Sequence, residues 1–196
     1  MPKVNVAVAG GPCTGKSTLA ARLYSQLKIE NYDYDLIMEE CKKIKNKFGS
    51  FRDPFERFYF WIIQENQELL SNAENGFVTD KPLFQYYAQV RQFASGPRDE
   101  LAIQGMYNLC LGLDKRYNLI IMAKDPYEIE FKRTNTRLSE APVARERHGI
   151  IQNLVNHLWP EKLLLVQGTL EERLEQSVNK IKEIHQYKNS IYDYQI

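Results

Sequence analysis

The sequence is poor in cysteine: Cys13, Cys41 and Cys110 are the only three in 196 residues. An odd, widely spaced set offers no disulfide framework and is the usage of a chain kept reduced, so a cytoplasmic location is expected. Histidine is equally scarce, with three, and no two cysteines have C-x-x-C spacing, which argues against a structural zinc site. Charge of one sign is not in excess: 26 Lys and Arg face 25 Asp and Glu, a net charge of +1. Such balance gives no global electrostatic reason to bind nucleic acid or an anionic membrane, although a local basic cluster would suffice for either. No apolar run reaches the ~20 residues of a membrane span. The Met1-Pro2-Lys3 start leads into too short an apolar stretch for a signal peptide. Internal repeats, low-complexity tracts and linkers are missing as well.

What is present is ordinary globular material, 43% hydrophobic and 26% charged, in a length that suits one domain spanning residues 1–196. Val4–Ala9 is short, β-branched and bounded by Gly10-Gly11, as a buried strand should be. Leu19, Leu23 and Leu27 then follow at helical spacing. Tyr32–Met38 reads as a second strand, weakened by Asp33 and Asp35. Asp53-Pro54-Phe55-Glu56 has the residues of a capping box and opens an aromatic-rich helix. Phe77–Asp80 is a short strand ending in a carboxylate. Helical stretches follow over roughly Leu83–Ala94 and Arg98–Lys115. Leu119–Met122 and Leu163–Val166 are the last two strands, and Thr169 with Glu172 caps a final helix. A tail over about 187–196 is expected to be loosely attached unless its tyrosines dock. Strands alternating with helices imply an α/β three-layer sandwich, with a parallel sheet of about five strands covered on both faces.

The most informative stretch is Gly10-Gly11-Pro12-Cys13-Thr14-Gly15-Lys16-Ser17, a full match to G-x-x-x-x-G-K-[ST] between a strand and a helix. Gly10, Gly11 and Gly15 let the backbone curl so that several N–H groups, with that of Thr14, face one anion, and the following helix adds the positive end of its dipole. Lys16 can reach the β- and γ-phosphates of a nucleoside triphosphate, Ser17 can ligate Mg²⁺, and Thr18 can meet the α-phosphate. Cys13 reads as a spacer within the loop, because no His or Asp partner makes it a nucleophile.

Asp80, at the carboxyl end of its strand, is positioned as a second Mg²⁺ carboxylate; the plain alternative is a turn or cap residue before Lys81-Pro82. A group that takes the proton of an acceptor hydroxyl is sought among Asp33, Asp35, Glu39 and Glu40, with Glu39 taken as the catalytic candidate. Between the last two strands, Lys132, Arg133, Arg137, Arg145 and Arg147 cluster among Glu130, Glu140 and Glu146. The segment resembles the connection that forms a lid over the triphosphate in small P-loop kinases, which implies a lid over about 126–147, with Arg137 acting in catalysis and Arg133 and Arg145 on the nucleotide; the alternative is a solvated helix face. Arg52 and Arg57 flank the start of the aromatic-rich helix. Phe58, Tyr59, Trp61, Phe84, Tyr86 and Tyr87 either pack the core or line a base pocket. His148 and His157 read as structural.

In this order, the motifs are those of the P-loop nucleoside and nucleotide kinases. More closely, the chain resembles the ribosylnicotinamide-kinase-like ATPase family, typified by the kinase domain of the bacterial NAD regulator. The resemblance rests on Gly10–Thr18, on Glu39-x-x-Lys42 in place of that family's Glu-x-x-Arg, and on Phe77–Asp80. It continues through Leu119–Met122, Arg137 and Leu163–Arg173, and so covers nearly the whole chain. It implies a P-loop fold, ATP and Mg²⁺ as cofactors, and a small nucleoside-like acceptor. Where the family often carries acidic residues and Gly before its lid Arg, this chain has Arg133-Thr134-Asn135-Thr136, which leaves the acceptor open. Two other functions remain as alternatives: a kinase acting on a hydroxymethylated base in DNA, as in some bacteriophage enzymes of this size, and a nucleotide-dependent switch. The switch lacks a base-reading N-K-x-D motif.

Overall fold

The computed structural model describes residues 2–39, 53–124 and 141–193. In β1 (Val6–Ala9) every residue is buried, which a strand achieves only at the centre of a sheet covered on both faces. Val6 and Val8 enter one apolar cluster and Ala7 and Ala9 the other, as the two-residue period of a strand requires. The same alternation splits Leu119 and Ile121 from Ile120 and Met122 in β4 (Leu119–Ala123).

The sheet has five parallel strands in the order β2-β3-β1-β4-β5, with β2 spanning Tyr34–Ile37, β3 Gly76–Thr79 and β5 Leu163–Val166. Register pairs Val6 with both Val78 and Leu119, so β1 lies between strands distant in sequence. The edge strands β2 and β5 are less buried than the three inner ones. The α/β three-layer expectation and the strand count hold.

Six α-helices lie among the described residues. α1 (Lys16–Ile29) and α6 (Leu170–Asp193) cover the face of Val6 and Val8, burying Leu19, Leu23, Val178 and Ile181. α2 (Glu56–Leu69), α3 (Gln85–Phe93), α4 (Pro97–Leu111) and α5 (Ala141–Leu158) supply the other cluster through Phe60, Tyr86, Met106 and Ile151. Pro97 stands at the first helical position of α4, where its missing N–H costs nothing.

Several boundaries move. The Asp53–Phe55 segment forms a turn ahead of α2: Asp53 accepts from the Phe55 N–H at 2.9 Å, and Glu56 accepts from the Asp53 N–H at 3.3 Å. The capping box at Thr169 and Glu172 forms in both directions, at 2.6 and 3.3 Å. Of the tail expected over 187–196, α6 runs on to Asp193 and the Lys188 ammonium donates to the Lys3 carbonyl, while residues 194–196 lie outside the described residues. Of the stretch expected to form a lid over 126–147, residues 126–140 lie outside the described residues, and residues 141–147 are the first turns of α5. α5 itself carries Ala144, His148, Ile151 and Val155 buried at helical spacing.

Candidate active site

Parallel strands bring their carboxyl ends to one edge of the sheet, and the strand order reverses direction around β1. Three stretches meet at that edge: residues 10–15 after β1, Glu39 just beyond β2, and Asp80 directly after β3. Asp33 and Asp35 do not join them. Asp33 pairs with Lys28 at 2.6 Å and accepts from the Glu74 N–H, while Asp35 accepts from Ser71 Oγ and the Asn72 and Ala73 N–H groups. Both stitch β2 to the turn before β3, which removes them as proton acceptors. Glu40 lies outside the described residues, as do Arg52, Lys132, Arg133 and Arg137.

The 10–15 loop curls through positive φ at Gly10 (139°), Cys13 (64°) and Gly15 (79°). Gly15 is the N-cap of α1, with no side chain capping the helix and no acid in its first turn. The first amides of α1 therefore meet no carboxylate from their own helix, which is the arrangement that receives a phosphate. Thr14 is buried and donates through Oγ1 to the Gly11 carbonyl at 3.1 Å. Lys16 donates from Nζ to the same carbonyl at 2.6 Å. Desolvation, helped by the nearby Lys81 ammonium and opposed by Glu39 and Asp80, lowers Lys16 to about 8. Thr18 is exposed beside the loop.

Ser17 Oγ donates to Asp80 Oδ2 at 2.6 Å, joining the first turn of α1 to the end of β3. Asp80 Oδ1 accepts from the Glu39 N–H at 2.8 Å, and the Asp80 N–H continues the sheet to the Ile37 carbonyl. One carboxylate thus organises three segments. Hydroxyl and carboxylate oxygens are the hard donors Mg²⁺ takes, and one carboxylate plus substrate phosphates is its usual protein site. The pair fits a cation arriving with a nucleotide. Among the described residues no group of three or more His, Cys, Asp or Glu is assembled that holds a metal by itself.

Sequence reasoning missed Lys81. It is buried, with its ammonium 3.2 Å from Glu39 Oε1 and 5.2 Å from the centre of the Tyr86 ring. Its backbone is fixed by donation to Thr79 Oγ1, which also accepts from Gln64 Nε2. The available signal was a cation directly after the strand-ending acid. A second buried network supports the same turn. The Leu83 N–H donates to Tyr117 OH at 2.9 Å, Tyr117 OH donates to Glu68 at 3.0 Å, and Arg116 pairs with Glu68 at 3.0 Å. Burial pushes the Glu68 carboxyl up to about 7 against the pull of Arg116.

On α5, Arg145 is exposed, whereas Arg147 is half-buried and its charge reaches Lys16. Arg147 Nε donates to Gln92 Oε1 at 2.6 Å, and its guanidinium stands 5.7 Å from the Phe93 ring centre. Arg57 stacks on the same ring at 5.0 Å. The aromatic set mostly packs the core: Trp61, Phe84, Tyr86 and Tyr87 are buried, while Tyr59 is exposed. His157 is exposed, and His148 is buried against the loop, where its Nδ1 accepts from the Gly11 N–H at 3.2 Å.

No family model and no curated protein matches the chain. Solved structures do. A NadR protein in complex with NAD and AMP-PNP superposes with a TM-score of 0.70 at 16% identity, over 92% of this chain and 49% of that one. A NadR complex with NR gives 0.66 at 17% identity, over 94% and 51%. This chain therefore spans about half the length of those proteins. Deoxyadenosine kinase from M. mycoides, with products dCMP and a flexible dCDP, gives 0.62 at 14% identity, over 92% of this chain and all of that one. The fold is that of P-loop kinases.

Proposed function

We propose that the chain is a P-loop kinase that transfers the γ-phosphoryl of ATP·Mg²⁺ to a hydroxyl or phosphate of a nucleoside-like acceptor. The observation that carries this reading is the 2.6 Å contact between Ser17 and Asp80, beside the loop over residues 10–15 and the uncapped start of α1. That pair would hold Mg²⁺ brought in with the nucleotide, since hydroxyl and carboxylate oxygens are the donors Mg²⁺ takes. The chemistry that bound Mg²⁺ supplies is charge neutralisation across the β- and γ-phosphates.

For a hydroxyl acceptor, the oxygen attacks the γ-phosphorus, the bond to the β–γ bridging oxygen breaks, and ADP leaves. The hydroxyl proton passes to the Glu39 carboxylate, which Lys81 holds in place. Lys16 leaves the Gly11 carbonyl to meet the phosphates. Thr14 and Gly15 supply the cradle, which Gly10 and Gly11 shape, and Thr18 faces the α-phosphate. Arg137 neutralises the migrating group while Arg133 and Arg145 hold the nucleotide, an assignment that for the first two rests on sequence alone. Positioning and charge account for the catalysis, with no covalent intermediate on the protein. The nucleoside and nucleotide ligands named for the NadR and deoxyadenosine kinase structures support a small acceptor of that class.

The test is an acceptor screen with γ-labelled ATP and Mg²⁺, using nucleosides, deoxynucleotides, nicotinamide riboside and hydroxymethyluracil-containing DNA, with Lys16→Ala as control. Label in a small acceptor that Lys16→Ala abolishes is the expected result. Label in the DNA alone transfers the assignment to a base kinase, and label released only as phosphate to a switch. Equal transfer by Lys16→Ala overturns the site.

A further inference from the structure

His148 stands 137 residues from Gly11 in sequence, yet its ring lies against the opening of the phosphate loop. Nδ1 accepts from the Gly11 N–H at 3.2 Å, in a buried contact. The ring also closes over Gly10, where an added Cβ would stand 3.1 Å from Nδ1 and 3.2 Å from Thr14 Oγ1. Gly11 is therefore held on both sides. Its N–H is taken by His148, and its carbonyl by Lys16 and Thr14. Because Pro12 follows, the next peptide has no N–H of its own, and its carbonyl can only accept.

Donation by the Gly11 N–H fixes the lone pair at Nδ1 and leaves the ring proton on Nε2. Burial, reinforced by the Lys16 ammonium, pushes His148 down to about 4, while an interaction with the Ala123 backbone opposes the shift. A neutral ring keeps Nδ1 available as an acceptor at pH 7. The helix that carries it is itself anchored. Gln92 on α3 donates to the Val143 carbonyl at 2.9 Å and to Glu146 Oε2 at 3.0 Å, and accepts from Arg147 Nε at 2.6 Å. Loop, α5 and α3 thus form one hydrogen-bonded chain. α5 begins directly after the segment that carries Arg133 and Arg137.

We propose that His148 is a positioning residue of the phosphate loop: its Nδ1 holds the Gly10–Gly11 peptide with its N–H turned toward α5, so that the later amides of the loop stay aimed at the anion. It touches no phosphate and acts through the loop. This rests on the reading of residues 10–17 as a nucleotide site. In that site the amides that meet a phosphate belong to the later loop residues, and Gly11 serves to orient them.

Asn and Gln separate this role from simple filling. Asn places an oxygen where Nδ1 stands, keeping the acceptor for Gly11 and losing the side of the ring toward Ala123. Gln places its polar end near Nε2, keeping that side and losing the acceptor. The experiment titrates a fluorescent ATP analogue with Mg²⁺ into the full chain and the variants His148→Asn, His148→Gln and Lys16→Ala, with a thermal melt of each. The expected result is affinity within about threefold of wild type for His148→Asn and about tenfold weaker for His148→Gln, the loss of one hydrogen bond. Equal affinities of the two variants, whether preserved or lost, and including loss of the folded state in both, overturn the proposal. Lys16→Ala reports on the underlying reading: nucleotide binding that ignores it, or a wild type that binds none, overturns the nucleotide site and this role together.

Discussion

Replacing Tyr117 with Phe removes one oxygen from the interior and leaves the ring in place. That ring packs edge-on against Phe84 at 5.7 Å and Phe77 at 6.3 Å, contacts that Phe preserves, so no cavity opens. What is lost is an acceptor for the Leu83 N–H and a donor to Glu68. Leu83 is fully buried, and a buried donor stripped of its partner costs about 1–3 kcal/mol. Glu68 keeps Arg116, so its share adds about 1 kcal/mol, for a total near 2–4 kcal/mol. In a chain of this size that is a fall in Tm of roughly 5–12 °C. The assay is a urea or thermal unfolding curve at pH 8, where Glu68, whose carboxyl titrates near 7, is mainly ionised. A double-mutant cycle with Glu68→Gln should return a coupling of about 1–2 kcal/mol. A Tyr117→Phe loss below about 0.5 kcal/mol would refute the claim that this hydroxyl carries the turn after Asp80.

Two further outcomes are expected at the site. Asp80→Asn keeps an oxygen for the Glu39 N–H and an amide that Ser17 Oγ can accept from, so its melting curve should stay near wild type while Mg²⁺-dependent phosphoryl transfer falls by about 10³-fold; undiminished transfer sinks the metal assignment. Lys16, lowered to about 8, should make the affinity for a fluorescent ATP analogue decline above pH 8, approaching tenfold per pH unit, because only the ammonium form meets phosphate. Stability runs the other way. The folded-state value lies below the unfolded 10.5, so between pH 8 and 10.5 the unfolded chain binds more protons and this group's contribution to stability rises with pH. Lys16→Arg, which does not titrate there, should flatten the affinity profile, and an unchanged slope in that variant would place the titration elsewhere.

Local patterns carried much of the fold. β1, the 10–17 loop, the strand ending at Asp80 and the Thr169–Glu172 box are each specified within a few residues, and each formed as expected. What failed was set by distance in the chain. Glu39 and Asp35 look alike in sequence, but β2 carries Glu39 out at its carboxyl end and holds Asp35 against the turn before β3. No local signal separates them before the register with β3 is known. Helix α5 has a buried stripe of Ala144, Ile151 and Val155, but the charges of its first turns read as the end of a lid. The partner that makes His148 a core residue is Gly11, supplied by the opposite end of the sequence.

The strand order has a consequence during synthesis. β1 leaves the ribosome first, but its neighbours are β3 and β4, so Val6 must wait for Val78 and then for Leu119. At roughly 5–20 residues per second that wait is on the order of ten seconds. Until β3 emerges, the Val4–Ala9 segment, apolar and β-prone, has neither neighbour to pair with, and from then until Leu119 it has only one. A nascent chain halted before Leu119 holds the nucleotide loop on a strand with one flank open, which makes this interval the one in which a chaperone has most to cover.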